Sequence, residues 1–254
     1  MLIRVLLAAI AAGLIGGVFA TAAQAVRVTP LVIAAEAYEN APAAQHQHGT
    51  SGADSAHVHS GGEQPVGGQV REESGWTPAN GVERTLYTLM TNMLIGAGYA
   101  LLVTAAIVLT NQPADMRHGL VWGLAGFVIF VLAPNLGLPP ELPGTAAAAL
   151  EARQLWWLAT VVCTGAGLAI FAFKRHFLWV ALGVALIAAP HVWGAPKPAL
   201  HESLVPASLA VEFVTASIAT AFVFWLFLGG VLGYLLSHAL RAEERHETAR
   251  GHAR

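Results

Sequence analysis

The sequence predicts an all-α membrane protein: a polytopic transmembrane helical bundle of about six spans, interrupted by one long polar loop. Three observations predict it. Of the 254 residues, 56% are apolar and only 11% are charged, with a mean hydropathy of +0.59. A water-soluble domain carries about a quarter charged residues, so lipid is the solvent this composition fits. Apolar stretches recur at about 5–26, 86–110, 119–137, 155–173, 177–193 and 208–236, and a helix needs about 20 such residues to cross a hydrocarbon core. Finally, Val5 to Val26 and Phe213 to Leu236 contain no Asp, Glu, Lys or Arg.

Taken in order, the first stretch follows a short basic start, Met1 to Arg4, and ends in Ala23-Gln24-Ala25. That string satisfies the small-residue rule for signal cleavage, so a retained helix and a cleaved leader both remain open, giving six spans or five. Either way residue 27 lies on the outer side. Residues 1–39 form this N-terminal helix with its extension. Residues 40–82 differ in kind, being rich in Gly, Ser, Ala, Gln and His. Such a segment buries too little apolar surface to offset the entropy of ordering, so it reads as a disordered loop. Residues 83–240 carry the remaining five spans, and 241–254 form a charged tail with His246 and His252. Glycines inside the spans, among them Gly13, Gly17, Gly123 and Gly229, suit close approach of helix backbones in lipid.

Lys and Arg set the orientation. Arg4, Arg117, Lys174, Arg175, Arg241, Arg245, Arg250 and Arg254 share one side if the N-terminus is inside. Arg27, Arg71, Arg84, Arg153 and Lys197 share the other, the first three all between the first and second spans. The positive-inside rule then places both termini in the cytoplasm of a bacterial inner membrane. Trp156, Trp157 and Trp193 fall at the outer interface as an aromatic belt, with no chemistry assigned to them. The net charge of -2 argues against a nucleic-acid partner. A single cysteine, Cys163, cannot build a disulfide or a metal cluster alone.

Candidate ligands gather on the outer side. His46-Gln47-His48 and His57-Val58-His59 each present two imidazoles to one side of an extended chain. Neutral imidazole suits Co, Ni, Cu, Zn and Fe, so this loop reads as a metal-capturing segment. Leu138-Pro139-Pro140-Glu141-Leu142-Pro143-Gly144 cannot continue a helix and carries one carboxylate, Glu141. Arg153 opens the next span and is placed either to snorkel or to pair with Glu141 or Glu151. The fifth span is short, and Pro190 is expected to break it, leaving His191 in non-helical backbone within the outer leaflet. An ionisable side chain at that depth is a candidate ligand or gate. Asn92 and Glu212 complete a possible pathway, Asn92 supplying an amide or bonding a neighbouring helix, Glu212 sitting at the interface.

The chain resembles the CbtA family of predicted cobalt transporter subunits. The resemblance runs from Arg27-Val28-Thr29-Pro30 through Glu36-Ala37-Tyr38-Glu39 and the His-rich loop to the Pro-rich string 138–144. It continues through Arg153-Gln154-Leu155-Trp156-Trp157, Pro190-His191-Val192-Trp193-Gly194-Ala195-Pro196 and Val205-Pro206. It implies cobalt uptake linked to cobalamin synthesis, Co2+ as the transported ion with no organic cofactor, and partnership with a small single-span, His-containing subunit of the CbtB type. No phosphate-binding loop of the G-x-x-x-x-G-K-[ST] form occurs. No nucleophile or acid–base constellation supports an enzyme. A membrane metal sensor or scaffold that binds without transporting is the competing class.

Overall fold

Six apolar stretches become helices, and the computed structural model describes residues 2–39, 78–198 and 203–252. Helix α1 spans Leu2–Arg27 and α2 Thr29–Glu39. Helix α3 spans Val82–Leu109 and α4 Met116–Asn135. The last three are α5 (Leu150–Phe173), α6 (Phe177–Trp193) and α7 (Ala207–His252). Among the described residues, α1, α3, α4, α5 and the Ala207–Arg241 part of α7 are long and apolar enough to cross a membrane, while α6 is shorter. The fold class is therefore the one the sequence predicts.

Helices α1, α3, α4 and α7 make the core, and their seams are built of glycine. A Cβ on Gly13 would collide with the backbone of Ala97, and one on Gly17 with the backbone of Met93. Along α4 and α7, Gly119 and Gly123 meet Gly229 and Gly233 in the same way. In lipid there is no hydrophobic drive between helices, so close backbone contact and its dispersion energy take that role. Trp225, Leu228, Leu232 and Leu236 fill the centre of the core from α7. Phe19 of α1 stacks on Phe227 of α7, with ring centroids 4.2 Å apart.

Helices α5 and α6 form a hairpin across the tight Lys174–His176 turn and attach to the core mainly through α4. The contact falls where α4 widens into a π-turn over Val128–Leu132, a local feature frequent at functional sites. Helix α6 buries only Gly183 and Pro190. At the bundle end where α2 lies, Ala35, Leu142, Val205 and Phe213 form a second small apolar cluster. It ties α2, the Pro-rich loop and the start of α7 together.

One expectation is corrected. Pro190 does not break α6 before His191, because the helix continues to Trp193. A proline that close to a helix end forfeits a single hydrogen bond of the ladder. Its carbonyl is meanwhile held by the Gly194 N–H at 3.1 Å and the Trp156 indole N–H at 3.0 Å. The stop belongs to Gly194, whose φ of 92° is open to glycine and strained for other residues.

Candidate functional site

Two sites lie toward the end of the bundle that carries α2 and the Pro-rich loop. The first is built on the α5–α6 hairpin. Trp156, buried on the second turn of α5, donates its indole N–H to the Pro190 carbonyl, and its ring meets His191 edge-on at 5.7 Å. Gly137 of the Pro-rich segment lies against the same indole, where a Cβ would collide with the ring. Trp156 is thus the post on which α6, the loop and His191 are assembled. His191 is half-buried, and its Nε2 is enclosed without a hydrogen-bond partner. Thr164 Oγ1, likewise unpartnered, lines the same cleft of about 450 Å³ against the π-turn residues Val128 and Leu132. Buried polar atoms are almost always satisfied in proteins, so two unpartnered ones beside the same apolar cleft are unusual.

Glu141 and Arg153 are brought together, with Arg153 Nη2 2.9 Å from the Glu141 carboxylate and both side chains about 30% exposed. Of the two placements considered for Arg153, pairing is the one found. The pair fastens the Pro-rich loop to the first turn of α5, three residues before Trp156.

The second site lies between α1, α3 and α7. A cavity of about 250 Å³ is lined there by Gln24, Asn92, Tyr99, Ser217, Thr220 and apolar neighbours. Asn92 donates through Nδ2 to Thr21 Oγ1 at 3.0 Å and to Gln24 Oε1 at 2.8 Å. The Thr21 hydroxyl donates to the Gly17 carbonyl, so it must accept from Asn92, which fixes how the Asn92 amide points. Ser217 Oγ is buried without a partner. Tyr99, Phe130 and Trp225 close the inner side of this region, with Phe130 stacked on Trp225 at 7° and 5.6 Å. Gln24, Tyr99 and Ser217 were invisible as site residues in the sequence. The signal that could have found them was neutral polar residues inside otherwise apolar spans.

Glu212 is exposed on the second turn of α7, away from both constellations. His46, His48, His57 and His59 lie outside the described residues. Among the described residues no three His, Cys, Asp or Glu side chains lie close enough to hold a metal ion. Glu141 and His191 therefore do not belong to a group of three or more ligating side chains among the described residues. A different pairing caps α4 at the opposite end: Asp115 accepts from the His118 backbone N–H at 3.0 Å and faces His118 Nδ1 at 2.7 Å. Those bonds, the backbone one first, hold the Asp115 carboxyl below its ordinary value.

Five of the described helices are long and apolar enough to cross a membrane, which makes this a multi-span membrane bundle. The chain matches the family model described as "Probable cobalt transporter subunit (CbtA)" over residues 2–237. It belongs to that family. No curated protein and no solved structure matches the chain.

Proposed function

We propose that this chain is the membrane subunit through which a bacterial inner membrane takes up Co2+, with the His-rich loop outside and both termini in the cytoplasm. The observation that carries the reading is the family match across residues 2–237. His46, His48, His57 and His59 raise the local metal concentration at the mouth, as a tethered ligand does without tight binding. His191, with Nε2 unpartnered beside Trp156, offers a borderline ligand suited to Co2+. Glu141, paired with Arg153, supplies a carboxylate that a passing cation competes for. Asn92 and Glu212 lie further along the pathway or at its rim. The partner is a small single-span, His-containing subunit of the CbtB type, and the cobalt serves cobalamin synthesis.

Radiolabelled cobalt accumulation in cells without other uptake systems, expressing the chain with that partner, tests the reading. His191→Ala is expected to abolish accumulation. Deletion of residues 45–60 is expected to raise the half-saturating concentration and leave the maximal rate. Cobalt that binds the chain and never accumulates would replace the transporter with a metal sensor or scaffold.

A further inference from the structure

We propose that the cleft between α3, α4 and α5 holds an anionic phospholipid of the cytoplasmic leaflet, its phosphate among basic side chains at the mouth and an acyl chain laid along the helices. The inference shares with the proposed function only the orientation of the chain.

Packing leaves this cleft open. Helix α4 turns Met116–Phe127 toward α7, and α5 meets α4 over Val128–Asn135, past the far end of that segment. At the end of the bundle opposite α2 a cleft of about 450 Å³ therefore remains between the three helices. Gly165 of α5 lines it, and a Cβ there would meet only Ile129, at 3.9 Å, an ordinary contact. Two residues on, Gly167 lies hard against Ile187 and the Gly183 carbonyl. The fold uses the second glycine and leaves the first facing the gap.

Polarity changes along the cleft in the way an amphiphile requires. Thr110, Gln112 and His118 form the mouth, where the chain turns from α3 into α4. Further in, Val121, Ala125, Ile129, Leu168 and Ala169 are apolar throughout. Residues 118 to 129 both line the cleft, and those eleven helical steps rise roughly 16 Å. Half of a hydrocarbon core is about 15 Å. The cleft thus runs from the headgroup level to the midplane, which is the reach of an acyl chain in one leaflet.

Charge selects the headgroup. Along residues 104–119 and 165–179 the Asp, Glu, Lys and Arg residues are Asp115, Arg117, Lys174 and Arg175. The Asp115 carboxylate is engaged by the backbone and ring of His118 as the cap of α4. Arg117, Lys174 and Arg175 are exposed, and Lys174 and Arg175 directly follow Phe173, which lines the cleft. Lys174 Nζ lies 5.7 Å from the Trp179 ring centroid, which keeps the ammonium at the interface. Basic groups at the cytoplasmic mouth of an apolar interhelical cleft favour an anionic over a zwitterionic headgroup.

Native mass spectrometry of the full chain in detergent tests this, with phosphatidylglycerol and phosphatidylcholine of identical acyl chains as probes. One phosphatidylglycerol is expected to be retained at concentrations where phosphatidylcholine is not. Gly165→Leu puts a side chain into the cleft and should cut that adduct tenfold or more without lowering the melting temperature. Lys174→Gln combined with Arg175→Gln should cut it several-fold, to the level of phosphatidylcholine, and this pair decides the matter if Gly165→Leu does not fold. Gly98→Leu, with open space at its Cβ elsewhere on α3, should change nothing. Equal retention of the two lipids, or an adduct that neither the cleft nor the charge variant alters, overturns the proposal. A dimer that Gly165→Leu abolishes would give the cleft to a second copy of the chain and overturn it as well. No metal enters the measurement, so its failure leaves the cobalt reading where the accumulation assay puts it.

Discussion

The four-helix core and the α5–α6 hairpin are both apolar helices in the same bundle, yet they cohere by different means. In the core, Gly13, Gly17, Gly119, Gly123, Gly229 and Gly233 bring backbone against backbone, with no side chain able to yield. In the hairpin, glycines mostly lie under side chains, Gly183 beneath Phe171 and Gly167 beneath Ile187, and α6 buries only Gly183 and Pro190. The difference teaches where rigidity and function separate. The core's seams meet backbone to backbone, while the turn before His191 is held through the Pro190 carbonyl by the Trp156 indole and the Gly194 N–H.

The comparison breaks first at Gly123. Its Cβ would strike the Trp225 carbonyl, so Gly123→Val is expected to cost about 3 kcal/mol or more, read as loss of a monodisperse folded species in detergent. Survival of that variant at wild-type yield would mean the seam is softer than drawn. Next, Trp156→Phe keeps an aromatic ring near His191 but removes the N–H that binds Pro190. Because Gly194 still donates to that carbonyl, the expected cost is about 1 kcal/mol in thermal unfolding. Cobalt accumulation should fall further than stability does. Glu141→Gln comes third. The pair with Arg153 is partly exposed, so a loss of about 0.5 kcal/mol is expected, with the larger change in the half-saturating cobalt concentration. The smallest effect belongs to Gly98, which has open space at its Cβ on an exposed face of α3. Gly98→Ala should leave yield unchanged or raise the melting temperature slightly, since alanine is the better helix former. A loss as large as that of Gly123→Val would erase the distinction between seam and surface.

The spans were legible because lipid crossing demands long apolar runs, and nothing but helix satisfies their backbone there. The Arg153–Glu141 pairing was one of the alternatives the spacing allowed. Three things were not legible. The π-turn at Val128–Leu132 leaves no mark in hydropathy, because it shifts hydrogen bonds and leaves composition alone. The continuation of α6 past Pro190 depends on two donors, Trp156 and Gly194, one of them 34 residues away in sequence. The cavity polar set is divided among Gln24, Asn92 and Ser217 on three different helices. No local pattern joins them. Trp156 illustrates the same limit, since an interfacial position explained it well enough to hide its role as the anchor of His191.

The first and last helices of this bundle are neighbours. Gly16 of α1 lies against Leu228 and Phe224, and Phe19 stacks on Phe227, all from α7. A ribosome makes α1 before α7, so this side of the bundle stays open until α7 has emerged. During that interval α1 holds the bilayer with α3 as its only wall of comparable extent. Closure of the bundle thus waits on α7, and a chain truncated before residue 207 lacks one wall of the cavity between α1, α3 and α7.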